Sequence, residues 1–245
     1  MRFFFMIAIG AALLGQSQAA QIRIQSGPTQ TSLLELYTSE GCSSCPPAET
    51  WLSRLKNSPE LWTNFVPIAF HVDYWDDLGW RDPWSARKFT DRQQAYAQTW
   101  APDSIYTPEF VLNGGEWLDW RRSKTAPVTT IKAGILTAVS TNGWNWKVTY
   151  QPITPQGGYN IHAALLVSEL SSDVKAGENS GRRLNHDFVA VTLVKKPLAS
   201  YGREFRGTFE AIPPKKKLEG RTALAVWVTE TNKLKPLQAT GGWLP

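Results

Sequence analysis

The sequence has 245 residues, of which 42% are hydrophobic and 19% charged, a balance typical of a globular chain with one large or two smaller domains. Its 26 Lys and Arg residues against 21 Asp and Glu give a net charge of +5, spread along the chain without an arginine-rich arm. The composition argues against disorder, collagen and coiled coil, and the dispersed charge argues against nucleic-acid binding.

The N-terminal residues have the pattern of a secretory signal peptide. Arg2 precedes the apolar run FFFMIAIGAALLG, which is too short to span a bilayer, and the sequence SQA at residues 17–19 fits a signal-peptidase site. We therefore expect residues 1–19 to be cleaved and the mature protein to be periplasmic or secreted, with no membrane span after cleavage.

Both cysteines of the chain, Cys42 and Cys45, lie in one CxxC motif within SEGCSSCPP. A single pair provides no long-range disulfide framework, and a bridge across two residues closes a loop too short to stabilise a fold strongly. A structural zinc site usually needs a second Cys pair or two closely spaced His, and neither is present. Redox exchange is therefore a better interpretation of the pair than a structural role.

The CxxC motif lies between a predicted strand and a predicted helix. Residues 33–38 form a short apolar, β-prone run, which the sequence SEG interrupts. A helix over 46–57 follows, because two prolines suit its first turn and apolar residues then recur at helical spacing. At this helix N-terminus Cys42 is expected to have a lowered pKa and to attack, while Cys45 resolves.

The rest of the first half predicts an alternation of strands and helices. The predicted elements are a strand over 65–74, a helix from Asp82 to about residue 100, a strand over 106–112, a hairpin turn at Asn113-Gly114-Gly115, a return strand over 116–120 and a helix over about 127–140. This order is typical of an α/β domain with a mixed sheet flanked by helices.

After residue 142 the helical patterns end and strand patterns repeat. Predicted strands lie at 144–150, 161–170, 188–194, 204–210 and 222–231, separated by Pro and Gly turns. Two of them are apolar in both alternating registers, which indicates burial on both faces. We therefore predict an α/β domain containing the CxxC over 20–142 and a mostly antiparallel β-sandwich-like domain over 143–245.

Four segments together carry a resemblance to a known family: ELYTSEGCSSCPPAE (35–49), AFHVDYWDDLGWRDP (69–83), YTPEFVLNG (106–114) and GENSGRRLNHDFV (177–189). They resemble a secreted bacterial family known as domain of unknown function 1223, and the resemblance covers most of the mature chain. A strand leading into a CxxC at a helix start, with a later Thr-Pro at the head of a hairpin strand, also resembles the thioredoxin fold. The family name itself records that no activity is established for it.

The thioredoxin resemblance implies a role for Thr107 and Pro108. In that fold the proline is a cis-proline opposite the CxxC, where it aligns the substrate backbone. The sequence departs from well-studied thioredoxins, because Ser43 and Ser44 replace the usual Gly-Pro and no Trp precedes Cys42. The direction of the redox chemistry therefore stays open among reductant, oxidant and isomerase.

Glu35 is the one carboxylate inside the first predicted strand. Facing the sheet interior under Cys45, it would have a raised pKa and could relay the proton that exchange requires. The alternative is a strand-edge Glu that faces solvent or a positive side chain.

His71 and Asp73 lie two apart on the second predicted strand and should point to the same face. They could tune the thiols, or His71 could complete a Cys-Cys-His metal site, but we favour a His–Asp hydrogen bond that holds the strand end. Trp75 and Trp80, in the loop that follows, either rim a substrate groove or are ordinary packing.

The polar segment over 177–189 is unlike a core strand. It could be a loop that reaches the CxxC, with Asn185 and His186 as site residues, or a surface turn, which we favour.

Three functions remain open. The first is an exported thiol–disulfide oxidoreductase without a cofactor beyond the Cys42–Cys45 disulfide, acting on a protein or small thiol or disulfide substrate with an unidentified redox partner. The second is a copper-binding or copper-delivery protein that uses Cys42, Cys45 and His71. The third is a binding module in which the thioredoxin-like domain is a scaffold and the disulfide is inert.

Overall fold

The computed structural model describes residues 21–100, 105–212 and 219–245, so the predicted signal peptide lies outside the described residues. Two α-helices occur in these ranges, α1 (Pro46–Arg54) and α2 (Arg87–Trp100), and short 3-10 helices cover Leu55–Asn57 and Leu118–Arg122. The strands are β1 (Ile22–Gln25), β2 (Ser32–Thr38), β3 (Phe65–His71), β4 (Glu109–Leu112), β5 (Gly115–Glu116), β6 (Ile135–Ser140), β7 (Asn145–Gln151), β8 (Tyr159–Ser168), β9 (Leu170–Asp173), β10 (Arg183–His186), β11 (Val189–Ala190), β12 (Val194–Pro197), β13 (Ala199–Tyr201), β14 (Glu204–Glu210), β15 (Arg221–Glu230) and β16 (Pro236–Trp243).

A nine-stranded sheet forms the centre of the described structure. Its strands follow the order β16-β15-β8-β11-β3-β2-β4-β5, and β12 pairs with β8 beside this path. The pairs β2–β3 and β3–β11 are parallel, whereas β2–β4 and β8–β15 are antiparallel. Every residue of β2, β3 and β8 is buried, which explains why these strands are nearly continuous apolar runs rather than alternating ones.

A second sheet of five strands, in the order β1-β6-β7-β14-β13, packs against one face of the nine-stranded sheet. Strand β15 shows how the two layers share their cores. Ala223, Ala225 and Trp227 belong to the core that contains β2, β3 and α1, whereas Leu224 and Val226 alternate with them and pack with the second sheet. The period of two along a strand thus supplies one side chain to each core in turn.

The predicted fold class, a thioredoxin-like α/β domain followed by a β-sandwich-like domain, is wrong. The described residues contain far more strand than helix, with only two α-helices, and form several sheets. The nine-stranded sheet also draws strands from both sides of the predicted boundary at residue 142, since β15 and β8 follow it and β3 and β2 precede it.

The predicted helix over 127–140 is one cause of this error. Its second half is strand β6, which pairs with β1 and β7, and the residues before it form no helix. Val128 and Ile131, which a buried helical stripe would have required in the core, are 58% and 61% exposed. An apolar run of this length fits helical and strand spacing equally well. Pairing with the neighbouring strands decides which structure forms.

The elements around the CxxC agree better with the predictions. Strand β2 and helix α1 with its 3-10 extension lie where expected, and β4 and β5 form the predicted hairpin. The return strand predicted over 116–120 is wrong beyond Glu116, because Leu118–Arg122 is a 3-10 helix. Asn113 and Gly114 have φ values of 50° and 81°, the left-handed conformation that a tight hairpin turn requires. Helix α2 begins at Arg87 rather than Asp82. Among the described residues, no helix is long and apolar enough to cross a membrane.

Candidate functional site

Cys42 and Cys45 form a disulfide immediately before α1, with their Cα atoms 5.5 Å apart. Cys45 is the N-cap residue of the helix, and prolines occupy its first two positions, where an amide hydrogen would have had no helical partner. Cys42 is 1% exposed and Cys45 is fully buried, whereas Ser43 and Ser44 between them are exposed. The backbone of the motif therefore reaches the surface while both sulfurs lie just beneath it.

The polar groups nearest to Cys42 come from its own loop and from the segment before β4. The Cys42 Sγ lies 3.3 Å from the Ser44 hydroxyl and 3.7 Å from the Thr107 carbonyl oxygen. The peptide bond between Thr107 and Pro108 is cis. The indole N–H of Trp75 donates to the Thr107 hydroxyl at 2.9 Å. Four of the residues predicted for the site, Cys42, Thr107, Pro108 and Trp75, thus lie together.

The polar segment after β9 also reaches the CxxC. Asn179 is fully buried, and its side-chain amide donates to the carbonyl oxygens of Glu40 and Cys42, both at 2.9 Å. The Glu178 carboxylate accepts a hydrogen bond of 3.0 Å from the Ser43 amide. The favoured interpretation of this segment as a surface turn is therefore wrong, because the segment reaches the motif. It does so through Glu178 and Asn179; of the two residues expected there, His186 is buried and Asn185 is exposed on β10.

Five buried titratable residues form a cluster beside this loop, which we call the acid–imidazole cluster. Glu40 precedes Cys42 by two residues, Glu49 lies on α1, His71 ends β3 and His186 ends β10, while Asp82 comes from the loop before α2. None of the five is more than 6% exposed. Carboxylates buried to this degree need partners, and the cluster supplies them internally.

Each histidine of the cluster contacts carboxylates. His71 Nδ1 lies 2.7 Å from Asp82 Oδ2, and the same oxygen accepts a 2.8 Å hydrogen bond from the Glu40 amide. His186 lies between two acids, with Nδ1 on Glu49 Oε2 and Nε2 3.1 Å from Glu40 Oε1. The two imidazole rings meet edge to face with centroids 5.3 Å apart.

These contacts shift the ionisation of the cluster. Burial opposes the charge on His186, but the Glu49 and Glu40 carboxylates outweigh it and raise the pKa of His186 to about 10. For His71 burial is likewise outweighed, by Asp82, and the pKa rises above its ordinary value. In turn, burial of Glu49 and Asp82 is outweighed by their histidines, which lower the pKa of each carboxyl.

Two of the predicted site residues in this region, Asp73 and Trp80, make hydrogen bonds that were not predicted. Asp73 does not pair with His71; it accepts a 2.5 Å hydrogen bond from the Thr90 hydroxyl, and Asp82 takes the place expected for it. Trp80 donates its indole N–H to Glu40 Oε2 at 2.7 Å and so contacts the cluster directly.

Glu35 is buried and faces a positive side chain, as one form of the alternative interpretation expected, so its surroundings are not those of a proton relay to Cys45. Its two oxygens accept from the Arg92 guanidinium at 2.6 and 3.0 Å and from the hydroxyls of Tyr37 and Tyr96 at 3.0 and 2.8 Å. Among the described residues, its side-chain hydrogen bonds thus go to α2 and to its own strand rather than to a cysteine.

Sequence reasoning missed another buried carboxylate, that of Glu109, which directly follows Pro108. It is 2% exposed, accepts a 2.5 Å hydrogen bond from Gln93 and has its pKa raised by burial to about 7. Its adjacency to Pro108 was the available sequence signal. Glu40 and Glu49 were similarly visible, since both flank the CxxC within four residues.

Comparison with solved structures finds relatives of the fold. A structural-genomics crystal structure of a protein from Agrobacterium tumefaciens matches with a TM-score of 0.58 and 20% identity, over 88% of this chain and 94% of that chain. HBP35 of Porphyromonas gingivalis matches with a TM-score of 0.58 and 11% identity, over 89% of this chain and 76% of that chain. At these identities the likeness concerns the fold alone.

Comparison with curated proteins finds no match. The family model described as protein of unknown function (DUF1223) matches residues 33–229, which is most of the chain and includes the CxxC, Thr107-Pro108 and both histidines of the cluster. The chain therefore belongs to the DUF1223 family.

Proposed function

We propose that this protein is an exported thiol–disulfide oxidoreductase in which Cys42 is the exchanging cysteine and Cys45 the resolving one. The observation that carries the proposal is the CxxC disulfide at the start of α1, whose two sulfurs have unlike surroundings. Cys42 Sγ lies within 3.7 Å of a hydroxyl and a carbonyl oxygen. Cys45 is fully buried at the N-cap of the helix.

The chemistry requires a stabilised thiolate on Cys42. A helix N-terminus favours negative charge, and the Ser44 hydroxyl, 3.3 Å from the Cys42 sulfur, is positioned to donate a hydrogen bond to a thiolate. The Thr107 carbonyl oxygen at 3.7 Å is an acceptor for the thiol form. The two groups thus support either protonation state of the same sulfur.

In the reducing direction, the Cys42 thiolate attacks one sulfur of a substrate disulfide, the substrate S–S bond breaks and a mixed disulfide forms. The Cys45 thiolate then attacks Cys42 Sγ, the Cys42–Cys45 bond forms and the second substrate thiolate leaves. The substrate disulfide gains two electrons and two protons, and the protein dithiol loses them. The oxidising direction is the reverse of these steps.

Access to the sulfur requires movement of the covering groups, because Cys42 is only 1% exposed. The exposed serines of the motif and the Thr107 segment, which both adjoin the sulfur, are the elements whose displacement would open it. The substrate is a protein or small thiol or disulfide in the exported compartment, and no cofactor is needed beyond the cysteine pair.

The reduction potential of the Cys42–Cys45 pair tests this proposal. Folded protein is equilibrated in a dithiothreitol or glutathione series and its free thiols are labelled, with Cys42→Ser and Cys45→Ser as single-thiol controls. A potential between about −120 and −270 mV is expected for an exchange catalyst.

A potential well below about −300 mV, or thiols that label only after unfolding, would contradict the proposal and indicate an inert bridge. Reduction of a small disulfide substrate should then be absent as well. In the expected case, turnover is lost in Cys42→Ser and retained in Ser43→Ala, whose exposed side chain lies in the same loop.

A further inference from the structure

We propose that Glu49, His71 and His186 form a binding site for one divalent transition-metal ion beside the CxxC. The proposal concerns nitrogen and oxygen ligands and is independent of the thiol chemistry. It also differs from a Cys-Cys-His site, because neither cysteine is a ligand.

The three side chains are already gathered as a ligand set. One ligand atom from each lies within 4.8 Å of the other two, and all three residues are buried. They come from α1, β3 and β10, so the rigid elements of the fold rather than a mobile loop hold them in place. Two imidazoles and one carboxylate are the protein ligands of many zinc sites that keep a fourth position open.

His71 shows an unused nitrogen aimed into this buried space. Asp82 holds its Nδ1 at 2.7 Å, while its Nε2 is buried without a hydrogen-bond partner among the described residues. Leaving a buried polar nitrogen unpaired is costly. A carboxylate on one imidazole nitrogen with a metal on the other is the usual arrangement of metal-ligating histidines, in which the carboxylate orients the ring.

The charge of the cluster suits a dication. Three carboxylates, Glu40, Glu49 and Asp82, converge on two imidazoles within a region removed from water. Glu40 Oε1, 3.1 Å from His186 Nε2, is a further oxygen beside the three ligands.

The ligand types favour zinc and metals of similar preference. Calcium and magnesium prefer oxygen ligands alone, and copper(I) prefers thiolates, which this structure holds in a disulfide. Imidazole with carboxylate suits Zn²⁺ and Co²⁺, and Co²⁺ reports its ligands by its visible absorption.

Metal binding by the oxidised protein tests the inference, because its cysteines are then unable to contribute thiolates. The purified exported protein is treated with chelator, refolded with Zn²⁺ or Co²⁺ under oxidising conditions, freed of unbound metal and analysed for metal content and affinity. We expect one equivalent of metal, a Co²⁺ spectrum without thiolate bands, and the same stoichiometry in the Cys42→Ser/Cys45→Ser variant.

Variants of the proposed ligands, with a histidine elsewhere in the fold as control, distinguish a specific site from general metal adsorption. His71→Gln and Glu49→Gln should weaken binding at least about tenfold, and Asp82→Asn, which keeps all three ligands, by about 10–100-fold. His162→Gln should bind as wild type does, because His162 is buried elsewhere, on β8, stacked on Trp227.

Failure of the refolded oxidised protein to retain metal would overturn the inference. So would equal loss in His162→Gln and His71→Gln, or loss in the cysteine variant alone. If a ligand variant does not fold, as judged by near-ultraviolet circular dichroism, the milder Asp82→Asn carries the test. An inert disulfide with normal zinc retention would refute the proposed function while leaving this site intact.

Discussion

The side-chain amide of Asn179 donates a 2.9 Å hydrogen bond to the carbonyl oxygen of Cys42, 137 residues earlier in the chain. The same amide binds the Glu40 carbonyl, and the Arg182 guanidinium holds its oxygen at 2.7 Å. The conformation of the CxxC loop is therefore maintained by a segment from the second half of the sequence.

Asn179→Ala is expected to loosen this loop. Two buried carbonyl groups lose their donor, so the free energy of unfolding should fall by about 1–3 kcal/mol, and dithiothreitol should reduce the disulfide faster. Chemical denaturation and thiol-release kinetics measure the two effects. Asn185→Ala, an exposed position on β10, should change neither, and an unchanged reduction rate in Asn179→Ala would contradict the role of this contact.

Arg92→Leu should be among the most destabilising substitutions in α2. It leaves Glu35 buried without its ion pair, which typically costs about 3–5 kcal/mol. Arg87→Leu is the matched control, since its pair with Asp91 is solvent-exposed and should be worth no more than about 1 kcal/mol. Urea denaturation of both variants provides the comparison, and similar midpoints would show that the buried pair contributes little.

Glu109 should make stability fall with rising pH. Its folded pKa of about 7 lies above the ordinary value of 4.5, so between these values the folded state binds the proton more tightly than the unfolded state. Its stabilising contribution is complete below about pH 4.5 and is lost as pH rises through 7, by on the order of 1–3 kcal/mol.

Glu109→Gln removes that titration while keeping an acceptor for Gln93. The difference in unfolding free energy between wild type and variant, measured by denaturation from pH 4.5 to 8, should therefore change in favour of the variant as pH rises. A pH-independent difference would show that Glu109 titrates near its ordinary pKa.

Trp75 and Thr107 should be energetically coupled. Trp75→Phe and Thr107→Val each remove one partner of the 2.9 Å hydrogen bond beside Cys42. A double-mutant cycle on unfolding free energies is expected to give a coupling of about 0.5–1.5 kcal/mol. Additive effects would mean that the indole is positioned by packing alone.

The proposed function predicts that Cys45→Ser accumulates mixed disulfides, because a Cys42 thiol that attacks a substrate disulfide would then have no resolving partner. Non-reducing electrophoresis of affinity-purified protein detects such adducts. Cys42→Ser is the control and should trap far fewer. Equal trapping by both variants would contradict the assignment of Cys42 as the attacking cysteine and Cys45 as the resolving one.

The local structure around the CxxC could be predicted because its causes are local. Two prolines after Cys45 determine the start of α1, and Asn113-Gly114 determines the hairpin turn. The fold class could not be predicted in the same way, since the apolar run ending at Ser140 fits helix and strand spacing equally and is decided by pairing with β1 and β7.

The pairings within the acid–imidazole cluster could not be predicted from the sequence for a different reason. The contact between Glu49 and His186 joins residues 137 positions apart, and nothing in their local patterns marks them as neighbours. His71 was among the predicted site residues, but its partner was sought two residues away on the same strand. Asp82, eleven residues later, reaches it because the intervening loop folds back over the end of β3.

Strand β15 is buried on both faces over most of its length, so successive residues pack in different cores. A larger side chain at Ala225 would clash in the core that contains β2, β3 and α1. A larger side chain at Val226, the next residue, would clash with the five-stranded sheet. Substitutions in this strand are therefore limited by two different cores, and adjacent residues are limited by different ones.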